Sequence, residues 1–343
     1  MAAEALSNGA GHKSVPEAYV FPADKRPGSS PSCAGAIPVV DIDLGSDDPD
    51  RIVKQIMDAG REFDLNFLLS FSCLTALVIN HGVPEPVIAS MVASAEEFFR
   101  LPAEEKMALY STDSKKLPHR LKLGIYPTEQ FRQNWPDKPA SLRAALEAYA
   151  PAVRAVALRI LRLTAAGLGL AAAGYFEDGD ELTAGPVIVN ANHYRACPDP
   201  SLTMGLAPHC DPNVVTVLAD NGVPGLQARR RGYGGGGGDG GWVDVAPVPG
   251  ALVVNFGHQM ELVSNGAMRA GEHRVVTDAR AARTSVAAFF MPAMGCAVAA
   301  APGTVAAGEK PLFRTFTYQE FMGAYTAVAG DRDAVMARFQ NKD

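Results

Sequence analysis

The chain has 343 residues, of which 48% are hydrophobic and 20% charged, and its net charge is −6. That length can bury a sizeable core, in one large domain or two modest ones, and the composition is that of a soluble globular protein. The acidic balance, with no basic run interleaved with aromatics, argues against nucleic acid as a partner.

Residues 1–35 are rich in Gly, Ser, Pro and Ala without periodicity and read as a flexible arm. They carry neither a basic n-region nor an apolar h-region, so no secretory signal is expected. "AIPVVDIDL" (36–44) reads as a short buried strand, and "DPDRIVKQIMDAGREF" as a helix with Ile52, Ile56, Met57 and Ala59 on one face. The most apolar run, "LNFLLSFSCLTALVI" (65–79), is shorter than the ~18–20 residues that cross a bilayer, so no membrane partner is expected. "LVINHGVP" (77–84) gives a second strand ending in a Gly turn, and "PEPVIASMVASAEEFFRLPAEEKMALY" one or two helices. A helical and mixed N-terminal region thus covers 36–140.

A long amphipathic pattern begins at Ser141, in a helical segment over 141–185. Pro151 sits inside it, and a proline costs ~3 kcal/mol in a helix interior, so a break or kink is expected there. Beyond it, "GPVIVNANHY", "NVVTVLAD", "GLQARR", "GWVDVAP", "GALVVNFG", "HRVVTD" and "TSVAAFFMP" are short β-branched runs separated by turn residues. Many short strands at near-regular spacing mean a sandwich, jelly roll or barrel, here over 186–295. "GYGGGGGDGG" (232–241) reads as a long hairpin tip; no helix follows it, which removes a phosphate-cradle reading. A C-terminal extension, 296–343, holds a final helix in "DAVMARFQ". Five scattered cysteines, Cys33, Cys73, Cys197, Cys210 and Cys296, show no CxxC spacing, which fits reduced thiols in a cytoplasmic protein.

The chemistry centres on "LAPHCDPNVVTVL" (206–218). On an extended segment His209 and Asp211 point to one face while Cys210 faces away. Such a pair arises often by chance, and His273, opening another strand, also reads as a hydrogen-bonded strand end. Together, two imidazoles and one carboxylate on one face of an octahedron leave three open positions, the arrangement of a non-haem Fe(II) oxygenase. Arg283-Thr284-Ser285 follows on the next strand, where a guanidinium fork and a hydroxyl share a face suited to a carboxylate. Tyr194 and Phe289 alone would be plain core aromatics. His81, His193 and His258 read as structural.

HxD…H followed by RxS, with "IPVVDIDL", "LVINHGVPEPVI", "EEFFRLPAEEKMALY" and "VPGLQ" in order, resembles the plant-type 2-oxoglutarate/Fe(II)-dependent dioxygenases over roughly residues 36 to 327. The chain is similar in particular to hydroxylases of mugineic-acid siderophores and tropane alkaloids. The resemblance implies a mainly β catalytic core, a double-stranded β-helix (jelly roll) flanked by α-helices. It implies His209, Asp211 and His273 as ligands of Fe(2+), and Arg283 and Ser285 as holders of the 2-oxoglutarate C5 carboxylate. Tyr194 is implied as a further 2-oxoglutarate contact, Asn192 as its partner near the metal, and Phe289 as a pocket aromatic. The implied reaction uses O2 and 2-oxoglutarate, stimulated by ascorbate, to hydroxylate a small secondary metabolite of alkaloid, indoleamine, flavonoid, terpenoid or siderophore type. Succinate and CO2 are released, and a monomer is expected. Two other readings stay open: an Fe(II)/O2 oxidase without 2-oxoglutarate, and an inactive homologue acting as a binding protein.

Two departures from the family pattern stand out. An apolar insert at 65–76 separates helix from strand, and the stretch near 116–132 is too short for the strands that usually wall the active site. Together they point to an imperfect gene model, with retained intron sequence and a skipped exon, which sequencing the transcript across both places tests.

Overall fold

The computed structural model describes residues 13–27, 37–43, 48–59, 75–107, 120–231, 239–328 and 330–341. Its strands are β1 (Val39–Asp41), β2 (Thr75–Ile79), β3 (Arg120–Tyr126), β4 (Val187–Tyr194), β5 (Leu206–His209), β6 (Val215–Asp220), β7 (Leu226–Arg231), β8 (Asp239–Asp244), β9 (Leu252–Phe256), β10 (His273–Val275), β11 (Arg283–Phe290), β12 (Ala297–Val298) and β13 (Phe316–Thr317). The helices are α1 (Pro49–Ala59), α2 (Glu85–Arg100), α3 (Ala103–Met107), α4 (Thr128–Phe131), α5 (Ala140–Gly167), α6 (His258–Val263), α7 (Tyr318–Ala327) and α8 (Arg332–Met336).

Seven strands form the major sheet in the order β1-β2-β9-β6-β11-β4-β3, and four form the minor sheet, β5-β10-β7-β8. Apart from the parallel β1–β2 edge, every pair in these sheets is antiparallel, as a jelly roll requires. Period-two alternation separates the two faces of the major sheet. Val187, Val189 and Ala191 on β4 join Val286, Ala288 and Phe290 on β11 in the larger core, with buried residues of α2 and α5. The opposite face carries Leu77 and Val253, which meet Leu226, Ala228 and Val275 of the minor sheet in a second, smaller cluster. This inner face is where the site lies.

Of the break or kink expected at Pro151, the break does not occur: helix α5 runs continuously for 28 residues. Thirteen of its side chains are buried, while Pro151 itself is exposed. Burying that many side chains, at roughly 1.5–3 kcal/mol for each large apolar one, outweighs the ~3 kcal/mol cost of one interior proline. Of the apolar insert read over 65–76, Thr75 and Ala76 lie in β2 and pair with Asn255 and Val254; residues 65–74 lie outside the described residues. In the stretch near 116–132, where the family's strands are not recognisable in sequence, the structure holds β3 at the sheet edge, paired with β4, followed by α4. β7 and β8 pair antiparallel, and the glycine tract between them lies outside the described residues for 232–238.

Candidate metal and co-substrate site

His209 and His273 are directly paired across β5 and β10, which puts their rings on one face with centroids 4.3 Å apart. Asp211 follows β5 by two residues, and its Oδ1 lies 3.6 Å from His209 Nε2 and 3.8 Å from His273 Nε2. These three donor atoms fall within 4.8 Å of one another and form a cluster able to hold a metal ion. Cys210 between them is fully buried, its Sγ directed at the Ala270 carbonyl, as the alternation requires.

The surroundings fix each donor. The Nδ1 atoms of His209 and His273 lie 2.9 Å from the carbonyls of Ala207 and Gly271. A proton on each Nδ1 leaves the Nε2 lone pairs for a metal. Asp211 is 2% exposed. Its Oδ2 accepts from Thr216 Oγ1 at 2.6 Å and from Asn255 Nδ2 at 3.3 Å, which leaves Oδ1 facing the imidazoles. Burial works against its charge, but the His273 and His209 imidazoles and the hydrogen bonds from Thr216 and Asn255 prevail and hold its pKa below the ordinary value. Thr75 donates to Asn255 Oδ1 at 2.9 Å and completes the chain.

Register places the remaining residues. Directly paired residues share a face, so the inner face of the major sheet can be followed in rungs. One rung runs Thr75–Asn255–Thr216–Phe289–Ile188–Gly124, which sets Phe289 beside the threonine that holds Asp211. Two rungs along stand Asp220, Ser285 and Asn192, and then Arg283 opposite Tyr194. Arg283 is 2% exposed and donates from Nη2 to Asp220 Oδ2 at 2.7 Å. Its Nε and Nη1 are buried with no acceptor among the described residues, and a carboxylate would satisfy them.

Arg283, Ser285, Asn192, Tyr194 and Phe289 thus share the inner face of the major sheet, the face from which Thr216 and Asn255 reach Asp211. The donor set of two imidazoles and one singly available carboxylate oxygen fits Fe(II), and the orphaned guanidinium nitrogens fit the tail of a dicarboxylic acid. A family model described as the 2OG-Fe(II) oxygenase superfamily matches residues 186–292, and one described as the non-haem dioxygenase in morphine synthesis N-terminal matches residues 37–142. The chain is 36% identical to 2'-deoxymugineic-acid 2'-dioxygenase of Hordeum vulgare, over 92% of this chain and 91% of that enzyme. The chain belongs to the 2OG-Fe(II) oxygenase superfamily. It is an oxidoreductase that depends on Fe(II) and 2-oxoglutarate.

Hyoscyamine 6-dioxygenase of Hyoscyamus niger is 31% identical to this oxygenase, over 94% of both chains. In fold, the oxygenase matches the crystal structure of JOX2 in complex with 2OG, Fe and JA. The TM-score is 0.78 at 24% identity, covering 98% of this chain and 96% of that one. These likenesses do not favour an oxidase without 2-oxoglutarate or an inactive binding protein.

The three histidines read as structural lie outside the donor cluster. His81 is bonded through both ring nitrogens, to Gly250 O and Val83 N, and His193 contacts Thr284 Oγ1 and stacks on Phe99. His258 is fully buried behind Asp211, whose carbonyl accepts its backbone N–H at 2.9 Å. Sequence reasoning missed Thr75, Thr216, Asp220 and Asn255. A signal existed for Asn255, a lone amide inside "LVVNF" on a strand otherwise apolar and buried, because such a group must find partners.

Proposed function

We propose that this oxygenase hydroxylates a small secondary metabolite, with His209, Asp211 and His273 as the ligands of Fe(II). Arg283 and Ser285 receive the C5 carboxylate of 2-oxoglutarate, Tyr194 and Asn192 contact the co-substrate, and Phe289 flanks the organic substrate. The observation that carries the reading is the cluster of three donors, its Asp211 held by Thr216 from the same sheet face that carries a buried, incompletely paired Arg283. Bound Fe(II) and 2-oxoglutarate supply oxidative decarboxylation to succinate and CO2, coupled to transfer of one atom of O2 to a C–H bond. The chain's own residues orient the donors, anchor the co-substrate and keep the cavity dry. The relatives named for mugineic acid and hyoscyamine metabolism support a plant metabolite as substrate.

The protein acts as a cytoplasmic monomer without nucleic-acid partners. Cys197, Cys210 and Cys296, buried and in no disulfide, the net charge of −6, and exposed large apolar side chains scattered over separate segments support this. Among the described residues no helix is long and apolar enough to cross a membrane.

Succinate release by purified protein given Fe(II), ascorbate and 2-oxoglutarate, across a metabolite panel, tests the reading. Expected is turnover that His209→Ala or Asp211→Ala abolishes. Near-normal product from either variant, or no anaerobic iron binding by the unaltered protein, overturns the assignment.

A further inference from the structure

The inner face of the major sheet extends past the metal rung to the edge strand β3, and its chemistry changes from one rung to the next. On the metal rung, Phe289 and Ile188 stand beside Gly124. A Cβ on Gly124 would run into the ring of Phe131, so the Phe131 ring of α4 lies over Gly124 on this same face. Phe131, Ile188 and Phe289 therefore form an apolar strip, all three half-buried.

The neighbouring rung runs Leu77–Val253–Leu218–Ala287–Asn190–Lys122. Leu77 and Val253 belong to the inner cluster, which fixes the orientation of the whole rung: Asn190 and Lys122 are on the inner face of the sheet. Lys122 is exposed, although Leu121 and Leu123 on either side of it are buried on the opposite face. Asn190 Oδ1 is buried and has no hydrogen-bond donor among the described residues. An orphaned acceptor in such a place carries an uncompensated desolvation cost that a ligand donor would relieve. β3 lies two strands from β11, about 10 Å, so one small molecule spans the distance from Phe289 to Lys122.

We propose that the organic substrate is an apolar carboxylic acid carrying an amino or hydroxyl group close to its carboxylate. Its body lies on Phe131, Ile188 and Phe289, Lys122 pairs with the carboxylate, and Asn190 Oδ1 accepts from the adjacent N–H or O–H. The C–H to be oxidised is then on the apolar body, away from the charged end. Lys122 and Asn190 become specificity-determining residues separate from Arg283 and Ser285, so the substrate acid and 2-oxoglutarate do not compete for one cation. The proposal rests on the metal and co-substrate assignment given above.

The test uses phenyllactate, phenylalanine and 3-phenylpropionate as probes, each against its methyl ester. Binding is read by equilibrium dialysis to the protein loaded anaerobically with Fe(II) and 2-oxoglutarate. Succinate release without probe reports separately on the metal and co-substrate site. Expected is tighter binding of each acid than its ester by roughly tenfold or more, the worth of a charge-assisted hydrogen bond. Phenyllactate or phenylalanine should bind more tightly than 3-phenylpropionate. Lys122→Met should erase the preference for acid over ester, and Lys122→Arg should restore most of it. A panel in which no acid outbinds its ester, or an acid preference that survives Lys122→Met, overturns the proposal. Failure of iron binding and of probe-free succinate release instead overturns the metal and co-substrate reading.

Discussion

At the scale of single residues, the site depends on side chains that touch no metal. Thr216 and Asn255 occupy one oxygen of Asp211 and leave the other directed at the two imidazoles. Removing such outer partners typically costs 10–100-fold in metal affinity. Thr216→Val, similar in shape and without the hydroxyl, should therefore weaken Fe(II) binding by about that factor in an anaerobic titration; unchanged affinity would show that the contact does not orient the carboxylate. Arg283 poses a different problem, because it pairs with Asp220 in a buried setting. Arg283→Met should raise the KM for 2-oxoglutarate and also destabilise the fold by about 3–5 kcal/mol, since it strands the Asp220 carboxylate. Adding Asp220→Asn should recover most of that stability in urea unfolding but none of the 2-oxoglutarate affinity. Recovery of both would mean that Arg283 acts through folding alone.

Elements show which features the sequence carries openly. The jelly-roll strands were legible because their β-branched runs are short and bounded by Gly, Pro, Asp or Asn, and HxD with RxS was legible because two-residue spacing sets a common face. β3 was missed although Leu121, Leu123 and Ile125 alternate as a half-buried strand should; the stretch was judged by its shortness rather than by its period. Helix α7 was missed too, although Thr317 caps it by accepting from the Glu320 N–H, the start of a T-x-x-E box. The contacts behind the metal were not legible because register alone creates them: Thr75 and Asn255 are 180 residues apart. Two element-scale outcomes follow from packing. Pro151 is exposed inside a continuous α5, so Pro151→Ala should raise stability by about 1–3 kcal/mol in urea unfolding by restoring an intrahelical hydrogen bond; a loss of stability would show that the proline shapes the helix. Gly257 joins β9 to α6 where a Cβ would meet the backbone carbonyls of Asn213 and Asp211. Gly257→Ala should push the ligand loop away and lower Fe(II) affinity in the same anaerobic titration, and unchanged binding would mean that the loop accommodates a methyl group.

Across the whole molecule, the ligand loop and the C-terminal helices meet at His258. Its ring packs on Phe321 and Tyr325 of α7, and Tyr325 Oη donates to the Cys210 carbonyl between His209 and Asp211. Both ring nitrogens of His258 are buried and have no hydrogen-bond partner among the described residues. Burial, reinforced by the Arg332 cation, pushes its pKa down to about 3. The folded protein therefore holds this imidazole neutral, whereas the unfolded chain takes up a proton below its ordinary value of 6.5. Between those limits the unfolded state binds more protons, so stability is complete above pH 6.5 and falls as the pH drops towards 3. One such group changes the unfolding free energy by about 1.4 kcal/mol per pH unit. His81 and His193 also have lowered pKa values, mainly through burial, and add a slope of the same sign. Comparison with His258→Leu isolates the one contribution, because the other groups are common to both proteins. Urea unfolding of the iron-free proteins at pH 7.5, 6.0 and 5.0 should show the variant losing stability less steeply, by roughly 1.4 kcal/mol per pH unit below about pH 6.5. Parallel curves would mean that His258 takes up a proton in the folded protein as readily as in the unfolded chain, and that the contact between the C-terminal helices and the loop carrying Asp211 is looser than this packing indicates.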